Sequence, residues 1–558
     1  MASGLRDAMT LLRGGRPAEA EALCRALVAQ HPGSAEAHHW HGVALRELGR
    51  TDGALAAFRA AVAIDPGQPG TQYRLASTLM DRAILDEAIA TYRVSLRLLS
   101  GKPGQEALLA RIHSDLGFAL MVHGEHEAAI DEFRHAIGLR PDARGHSQLV
   151  YYLQYLPGAD AAAQLREARE WDRLYAAPLG VDAPPHTNDP DPGRLLRVGY
   201  VSGDLRDHAL ASFLPPVFER HDRARFEVIA YSNVDRPDDV TARYRARADR
   251  WRDVSGMQDE AVARLVREDG VDVLVDLSMH SGGGRPLVFA RKPAPVQVCW
   301  LAYPGTTGMG AMDYRLTDPY LDPPELDGEA SGRAYAERSL RLTRSFWCYR
   351  PRLSPPVAPL PARASGHVTL GTCNKFSKVN DGTLRLWARV LEAVPGSRCF
   401  MVVPSFAAQA RVRERFGQLG IHPDRVEMVG QRRYADYLAN FSRIDVGLDT
   451  VPYGGGTTSI DALYMGVPVV TLRGETVVGR AGTCLASNLG MPGLVASTAD
   501  EYVQIAVRLA SDLDALEATR RGLRARLEAS PLMDEEGFVR DLERAYREAW
   551  SRWCLLAR

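Results

Sequence analysis

Leu448-Asp449-Thr450-Val451-Pro452-Tyr453-Gly454-Gly455-Gly456-Thr457-Thr458-Ser459-Ile460-Asp461-Ala462-Leu463 reads as a strand end, a glycine-rich loop and a helix start. Consecutive glycines let the backbone approach a ligand closely. The first helical turn has N–H groups without intrahelical acceptors and the positive end of the helix dipole, so it favours phosphate. Thr457 and Thr458 can cap that helix or offer hydroxyls to a diphosphate, and Asp461 lies one turn in. No lysine follows, as in a Walker loop, and the spacing is not GxGxxG.

Outward from this unit, short β-rich runs alternate with helical patterns. Val368–Gly371, Arg398–Val403, Val426–Val429, Ile444–Leu448 and Val467–Leu472 are expected strands, with helices over Leu384–Val394 and Ala407–Leu419. Upstream, strands are expected at Leu195–Ser202, Phe226–Tyr231, Val271–Asp276 and Val296–Leu301, with helices over Leu210–Glu219 and Asp259–Glu268. A proline-rich break, Pro351 to Pro361, separates the two sets. Two parallel α/β halves then face a cleft, with ligands beyond the carboxyl ends of the strands.

Four further segments follow expected strands. Gly371-Thr372-Cys373-Asn374-Lys375-Phe376-Ser377-Lys378 offers a lysine that can neutralise a leaving diphosphate. Ser202–His208 and Asp276–Gly284 each bring a histidine, His208 and His280, to a strand end, where it can act as a base or a polar contact. Tyr303-Pro304-Gly305-Thr306-Thr307-Gly308 is a turn able to present backbone N–H groups to a sugar or phosphate.

The N-terminal part is repetitive. Gly15 and Gly49, Pro32 and Pro66, Ala20 and Ala54, and Cys24 and Phe58 are each 34 residues apart, and Ala88 and Tyr92 continue the register. Ala129 and Phe133 come 41 residues later, which places an insertion near Ser100–Gly104. The period and pattern resemble the tetratricopeptide repeat, whose stacked helix pairs build a concave surface suited to a polypeptide. Prolines between Asp182 and Gly193 mark a linker.

Composition fits this layout. At roughly 150 residues per domain, the 558-residue chain should hold three to four domains. A net charge of -1 supplies no global field to recruit nucleic acid or acidic lipid. No run approaches the ~18 apolar residues of a membrane span, and the N-terminus lacks an apolar signal core, so a cytoplasmic location is expected. Seven scattered cysteines without CxxC argue against disulfides or a structural zinc site.

Lys292–Gln297, the Tyr303–Gly308 turn, Met312-Asp313-Tyr314, the Asp449/Gly456-Thr457-Thr458/Asp461 block and Pro468–Thr476 together resemble the protein O-GlcNAc transferase family, glycosyltransferase family 41. The resemblance spans nearly the whole chain. It implies a tetratricopeptide superhelix followed by a GT-B fold of two Rossmann-like lobes. The implied domains are repeats 1–146, a helical linker 147–193, lobes 194–355 and 356–536, and a C-terminal helix 537–558. It implies an inverting transfer from a nucleotide sugar, without an essential metal or other cofactor, to a polypeptide held along the repeats and the cleft.

Carried over residue by residue, Lys378, Thr457 and Thr458 look like diphosphate contacts, with Gly456 beside them. Asp461 looks like the acid on the donor ribose, and Asn374 like the asparagine of the lysine loop. His208 looks like the active-site histidine, with His280 the other candidate base. Thr306, Thr307 and Arg480 complete the donor-side candidates.

There are departures. Gly456 stands where the animal enzymes have histidine, and Met279-His280 replaces an Asn-Gly pair. In that feature and in Phe346-Trp347-Cys348-Tyr349 the chain looks more like the plant paralogue that uses GDP-fucose. Gly474-Glu475-Thr476 followed by Arg480 looks more like the GlcNAc enzymes. UDP-GlcNAc with Ser/Thr acceptors is therefore the first expectation, and GDP-fucose or a UDP-hexose the alternatives. A repeat scaffold that only senses a nucleotide sugar is the non-catalytic reading, and a glycan acceptor a further one.

Overall fold

The computed structural model describes residues 1–181, 183–328 and 332–557. They form two compact units: Met1–His146 with Val403–Val412, and Ser147–Val402 with Arg413–Arg558.

In the first unit, consecutive helices pair as hairpins: Ala2–Arg13 with Pro17–Gln30, Ala35–Glu47 with Thr51–Ile64, Pro69–Asp81 with Leu85–Leu99, and Glu106–His123 with His126–Leu139. Small residues set the pairing distance. A Cβ on Gly42 would lie 2.8 Å from the Phe58 ring, and one on Gly117 2.9 Å from Phe133. The hairpin turns need left-handed backbone, supplied at Gly15, Gly49 and Gly124 with φ of 69°, 71° and 83°. At the equivalent turn of the third hairpin Ala83 takes the same conformation, φ 57°. The extra residues of the last repeat fall between Leu99 and Glu106.

The second unit holds two wholly parallel sheets. The first contains β1 (Leu196–Ser202), β2 (Phe226–Ser232), β3 (Arg250–Asp253), β4 (Val273–Asp276), β5 (Val296–Cys299), β6 (Tyr314–Thr317) and β7 (Arg338–Arg341), in the order β3-β2-β1-β4-β5-β6-β7. The second contains β8 (Thr369–Thr372), β9 (Arg398–Val402), β10 (Val426–Val429), β11 (Val446–Leu448), β12 (Val469–Leu472) and β13 (Val495–Ala496), in the order β10-β9-β8-β11-β12-β13. Strand order reverses between β1 and β4 and between β8 and β11. Such a switch point opens a crevice beyond the strand ends.

β3, β6, β7 and β13 were not expected from the sequence. β3 and β7 are edge strands rich in arginine, without an apolar run. Arg250 and Arg252 of β3 instead pair with Asp269 at 3.1 and 2.5 Å. The helix expected over Leu210–Glu219 is broken into a 3-10 turn, Ala209–Ser212, and a helix, Pro215–Arg220. Pro215 and Pro216 lack the N–H that would join them.

The segment expected as a linker helix is irregular. It runs through Leu153–Tyr155, Ala161–Trp171, the π-turn Asp172–Ala176 and Ala177–Gly180. From Ser147 it belongs to the sheet-bearing unit, where a Cβ on Gly308 would come within 2.3 Å of the Ala168 backbone. The last helix, Glu535–Leu556, packs on the first sheet's lobe: Glu543 meets His221 at 2.9 Å, and Trp550 donates to the Asp191 carbonyl at 3.0 Å. All seven cysteines are buried, and none is in a disulfide.

Candidate functional site

Four of the segments singled out in sequence follow β1, β4, β8 and β11, the strands that flank the two switch points, while the Tyr303–Gly308 turn follows β5. The loop after β11 is organised by Asp449, which is 1% exposed. Its carboxylate accepts from the Gly455 N–H at 2.7 Å, the Thr450 N–H at 2.9 Å, Asn374 Nδ2 at 3.2 Å and Thr471 Oγ1 at 3.0 Å. A Cβ on Gly455 would overlap Ser459 Oγ at 2.0 Å, so only glycine lets the loop fold onto the helix.

The helix Thr457–Tyr464 then starts at the mouth of the loop. Ser459 and Ile460 donate to the Gly456 carbonyl. Among the described residues, the N–H groups of Thr457 and Thr458 find no backbone acceptor, as an anion site requires.

Lys378 comes from the loop after β8. Its ammonium donates to the Gly454 carbonyl at 2.7 Å and lies 4.0 Å from the centre of the Tyr453 ring. Burial pushes its pKa down to about 7, opposed by the charge of Asp449. Asn374 donates to Asp449 and Thr450, leaving its buried Oδ1 without a partner.

Lys375, quoted within the same loop but given no role from sequence, adds a second cation. Burial lowers its pKa, and its charge acts on both Lys378 and His208. A lysine three residues before Lys378, on a loop at a strand end, was the available signal.

Asp461 is buried one turn into the helix. Tyr349 and Tyr434 donate to Oδ1 at 2.7 and 3.2 Å, and Tyr437 donates to Oδ2 at 3.1 Å. Burial raises its pKa to about 6 even though these hydroxyls oppose the shift. The three tyrosines are 24 to 112 residues away in sequence, so no local motif announces them.

His208 stands beyond β1. Its Nδ1 is 3.4 Å from the Leu210 N–H and 3.8 Å from Asp204. Burial lowers its pKa, Asp204 pulls it back, and Arg206, Lys375 and Arg352 push it further down. The ring is therefore neutral at ordinary pH and partly open to the cleft.

The structure does not bring His280 to that cleft. It is 3% exposed, with Nδ1 at 3.0 Å from Ser147 Oγ, Nε2 at 2.8 Å from the Thr307 carbonyl and Trp171 edge-on at 4.7 Å. Both ring nitrogens are committed, so it has none to spare for an acceptor proton.

Thr306 and Thr307 are likewise turned inward, onto Glu337. Thr306 Oγ1 donates to it at 2.7 Å and the Thr307 N–H at 2.6 Å, and the Thr307 hydroxyl adds a third bond. Glu337 had not been singled out in sequence. Arg480 is 3% exposed and donates to the carbonyls of Leu321 and Glu475, so it ties loops together rather than facing the cleft.

The arrangement can hold a diphosphate between Lys378 and the Thr457 helix, a diol at Asp461 and a proton acceptor at His208. Beyond Tyr434 a cavity of about 390 Å³ lies between Tyr244, Arg350, Arg352 and Leu353. In the first unit, His113, Glu132 and His135 bring ligand atoms within 4.8 Å of one another.

Comparison with known proteins agrees with this architecture. The sequence matches tetratricopeptide repeats over residues 5–69 and 45–112. It is 38% identical over 433 residues to a Petunia hybrida protein named probable UDP-N-acetylglucosamine–peptide N-acetylglucosaminyltransferase SPINDLY, covering 74% of this chain and 45% of that one. With a Caenorhabditis elegans UDP-N-acetylglucosamine–peptide N-acetylglucosaminyltransferase it shares 23% identity, over 74% of this chain and 46% of that one. The chain thus spans about half the length of these relatives. A solved structure of an O-GlcNAc transferase mutant from Thermobaculum terrenum is 38% identical, covers 100% of this chain and 98% of its own, and superposes with a TM-score of 0.79. With residues 182–348 and 360–542, which span the two parallel sheets, matching glycosyl transferase family 41, the chain belongs to that family.

Proposed function

We propose that the chain is an inverting glycosyltransferase that moves GlcNAc from UDP-GlcNAc to Ser or Thr hydroxyls of polypeptides. The observation that carries this reading is the convergence of Lys378, the Thr457 helix N-terminus and Asp461 at the β8/β11 switch point. The ammonium and the helix end stabilise charge developing on the leaving diphosphate, which gives metal-free electrostatic assistance. Asp461 accepts the ribose hydroxyls, and the cavity beside Tyr434 gives the base room.

The acceptor hydroxyl attacks the anomeric carbon from the side opposite the leaving diphosphate, and His208 takes its proton. Asp204 stabilises the imidazolium that results. The repeats hold the polypeptide, and the reaction needs no resident cofactor and takes place in the cytoplasm. Among the described residues no helix is long and apolar enough to cross a membrane.

The test is thermal-shift binding of UDP, UDP-GlcNAc, GDP and GDP-fucose with chelator present, followed by sugar transfer to a peptide library. Stabilisation by the UDP pair and transfer of GlcNAc to hydroxyls are expected. Stabilisation by the GDP pair alone replaces the donor with GDP-fucose. Binding without transfer or donor hydrolysis replaces the enzyme with a sensing scaffold.

A further inference from the structure

Tyr155 lies in the 3-10 turn Leu153–Tyr155, nearly 300 residues before the glycine-rich loop, and is 2% exposed. Its ring centre is 4.7 Å from that of Tyr453, the residue entering the glycines. The other face of the relation is the cation: Lys378 Nζ sits 4.0 Å from the Tyr453 ring centre and is bonded to the carbonyl of the next residue, Gly454. Tyr155 is itself fixed. Its hydroxyl and that of Tyr151 are 2.8 Å apart, and Tyr151 packs against Tyr303 at 5.4 Å. A run of four tyrosine rings thus reaches from the turn after β5 to the ammonium proposed to meet the diphosphate.

A cation over an aromatic face is held by the ring quadrupole, and the hold depends on ring placement. We propose that Tyr155 is a positioning residue: it seats the Tyr453 ring, and through it the Lys378 ammonium, for diphosphate stabilisation. The proposal rests on the reading of Lys378 given above. It also gives the segment before the lobes a role in the chemistry, beyond connecting them to the repeats.

The test compares Tyr155→Phe and Tyr155→Leu in the full chain, alone and with Lys378→Met, following transfer at saturating donor across pH. The phenylalanine variant keeps the ring and is expected to stay within about twofold of wild type. The leucine variant is expected to lose tenfold or more in kcat, and its alkaline limb to move to lower pH, because a cation that loses its ring releases its proton more readily. In the Lys378→Met background, Tyr155→Leu should cost nothing further.

An unchanged pH limb in Tyr155→Leu overturns the proposal, whether kcat is unchanged or falls together with thermal stability. Full turnover by Lys378→Met alone overturns the reading of Lys378 itself, and the proposal with it. Should the leucine variant fail to fold, Tyr453→Leu, which removes the intervening ring directly, must show the same shifted limb, and an unshifted one overturns the proposal.

Discussion

The hydroxyl of Tyr349, on the crossover between the two lobes, donates to Asp461 Oδ1 at 2.7 Å, so the acid proposed to bind the donor ribose is held from outside its own sheet. A buried carboxylate needs such donors, and even three of them leave its pKa raised to about 6 by burial.

That shift gives a stability prediction with a definite sign. An acid whose folded pKa lies above its unfolded value of 3.8 is penalised when ionised; the penalty is full above about pH 6 and fades as pH falls toward 4. Asp461→Asn should therefore stabilise the donor-free protein at pH 7.5, by up to about 3 kcal/mol, while weakening donor binding at least tenfold. Denaturant titrations at pH 7.5 and 4.5 should show the larger advantage at the higher pH, with most of it gone at the lower.

Lys378→Met should lower kcat at saturating donor by about 100-fold or more, the scale of losing one preorganised charge at a leaving group. Burial holds the Lys378 pKa down to about 7, so its charge fades as pH rises through that value. Nucleotide affinity of the wild type should fall between pH 6.5 and 9, measured calorimetrically, and that dependence should vanish in the methionine variant.

His208 is neutral to a lower pH than a free imidazole, because burial and three nearby cations disfavour its charged form. The acidic limb of kcat/KM should then lie below pH 6.5. Asp204→Asn removes a carboxylate that raises the His208 pKa, and should move the limb lower still. His208→Ala should abolish the limb along with most of the rate.

Glu337→Ala strands the buried hydroxyls of Thr306 and Thr307 and a backbone N–H. The loss should be about 2–4 kcal/mol in chemical denaturation, without any change in the pH profile of activity.

Ala83 carries a Cβ in left-handed backbone at φ 57°, where Gly15 and Gly49 stand in the repeats before it. Ala83→Gly should stabilise the protein by about 0.5 kcal/mol, relief of the Cβ clash exceeding the added chain entropy. A differential scan resolves a gain of that size.

Much of this protein was written locally. The 34-residue spacing of Gly15 and Gly49 encodes a turn the backbone cannot make cheaply otherwise, and Gly42 and Gly117 encode how closely paired helices approach. Asp449, the three glycines and Thr457 encode a strand, a tight loop and a helix start, because each requirement involves neighbours a few residues apart. Edge strands such as Arg250–Asp253 escaped, since their stability comes from pairing with β2 and from Asp269, not from an apolar run.

What only the tertiary structure decided is which of the candidate side chains face the cleft. His208 and His280 each follow a strand of the same sheet. One stays partly open, while the other is closed off by Ser147, Trp171 and the Thr307 carbonyl, all distant in sequence. Thr306, Thr307 and Arg480 turned inward to satisfy Glu337 and buried carbonyls, and Asp461 acquired its tyrosines from two separate elements, the crossover at Tyr349 and the helix Tyr434–Ala439. A motif fixes where a side chain starts. Burial and the hydrogen bonds that burial demands fix where it ends, and those partners are set by how the chain packs.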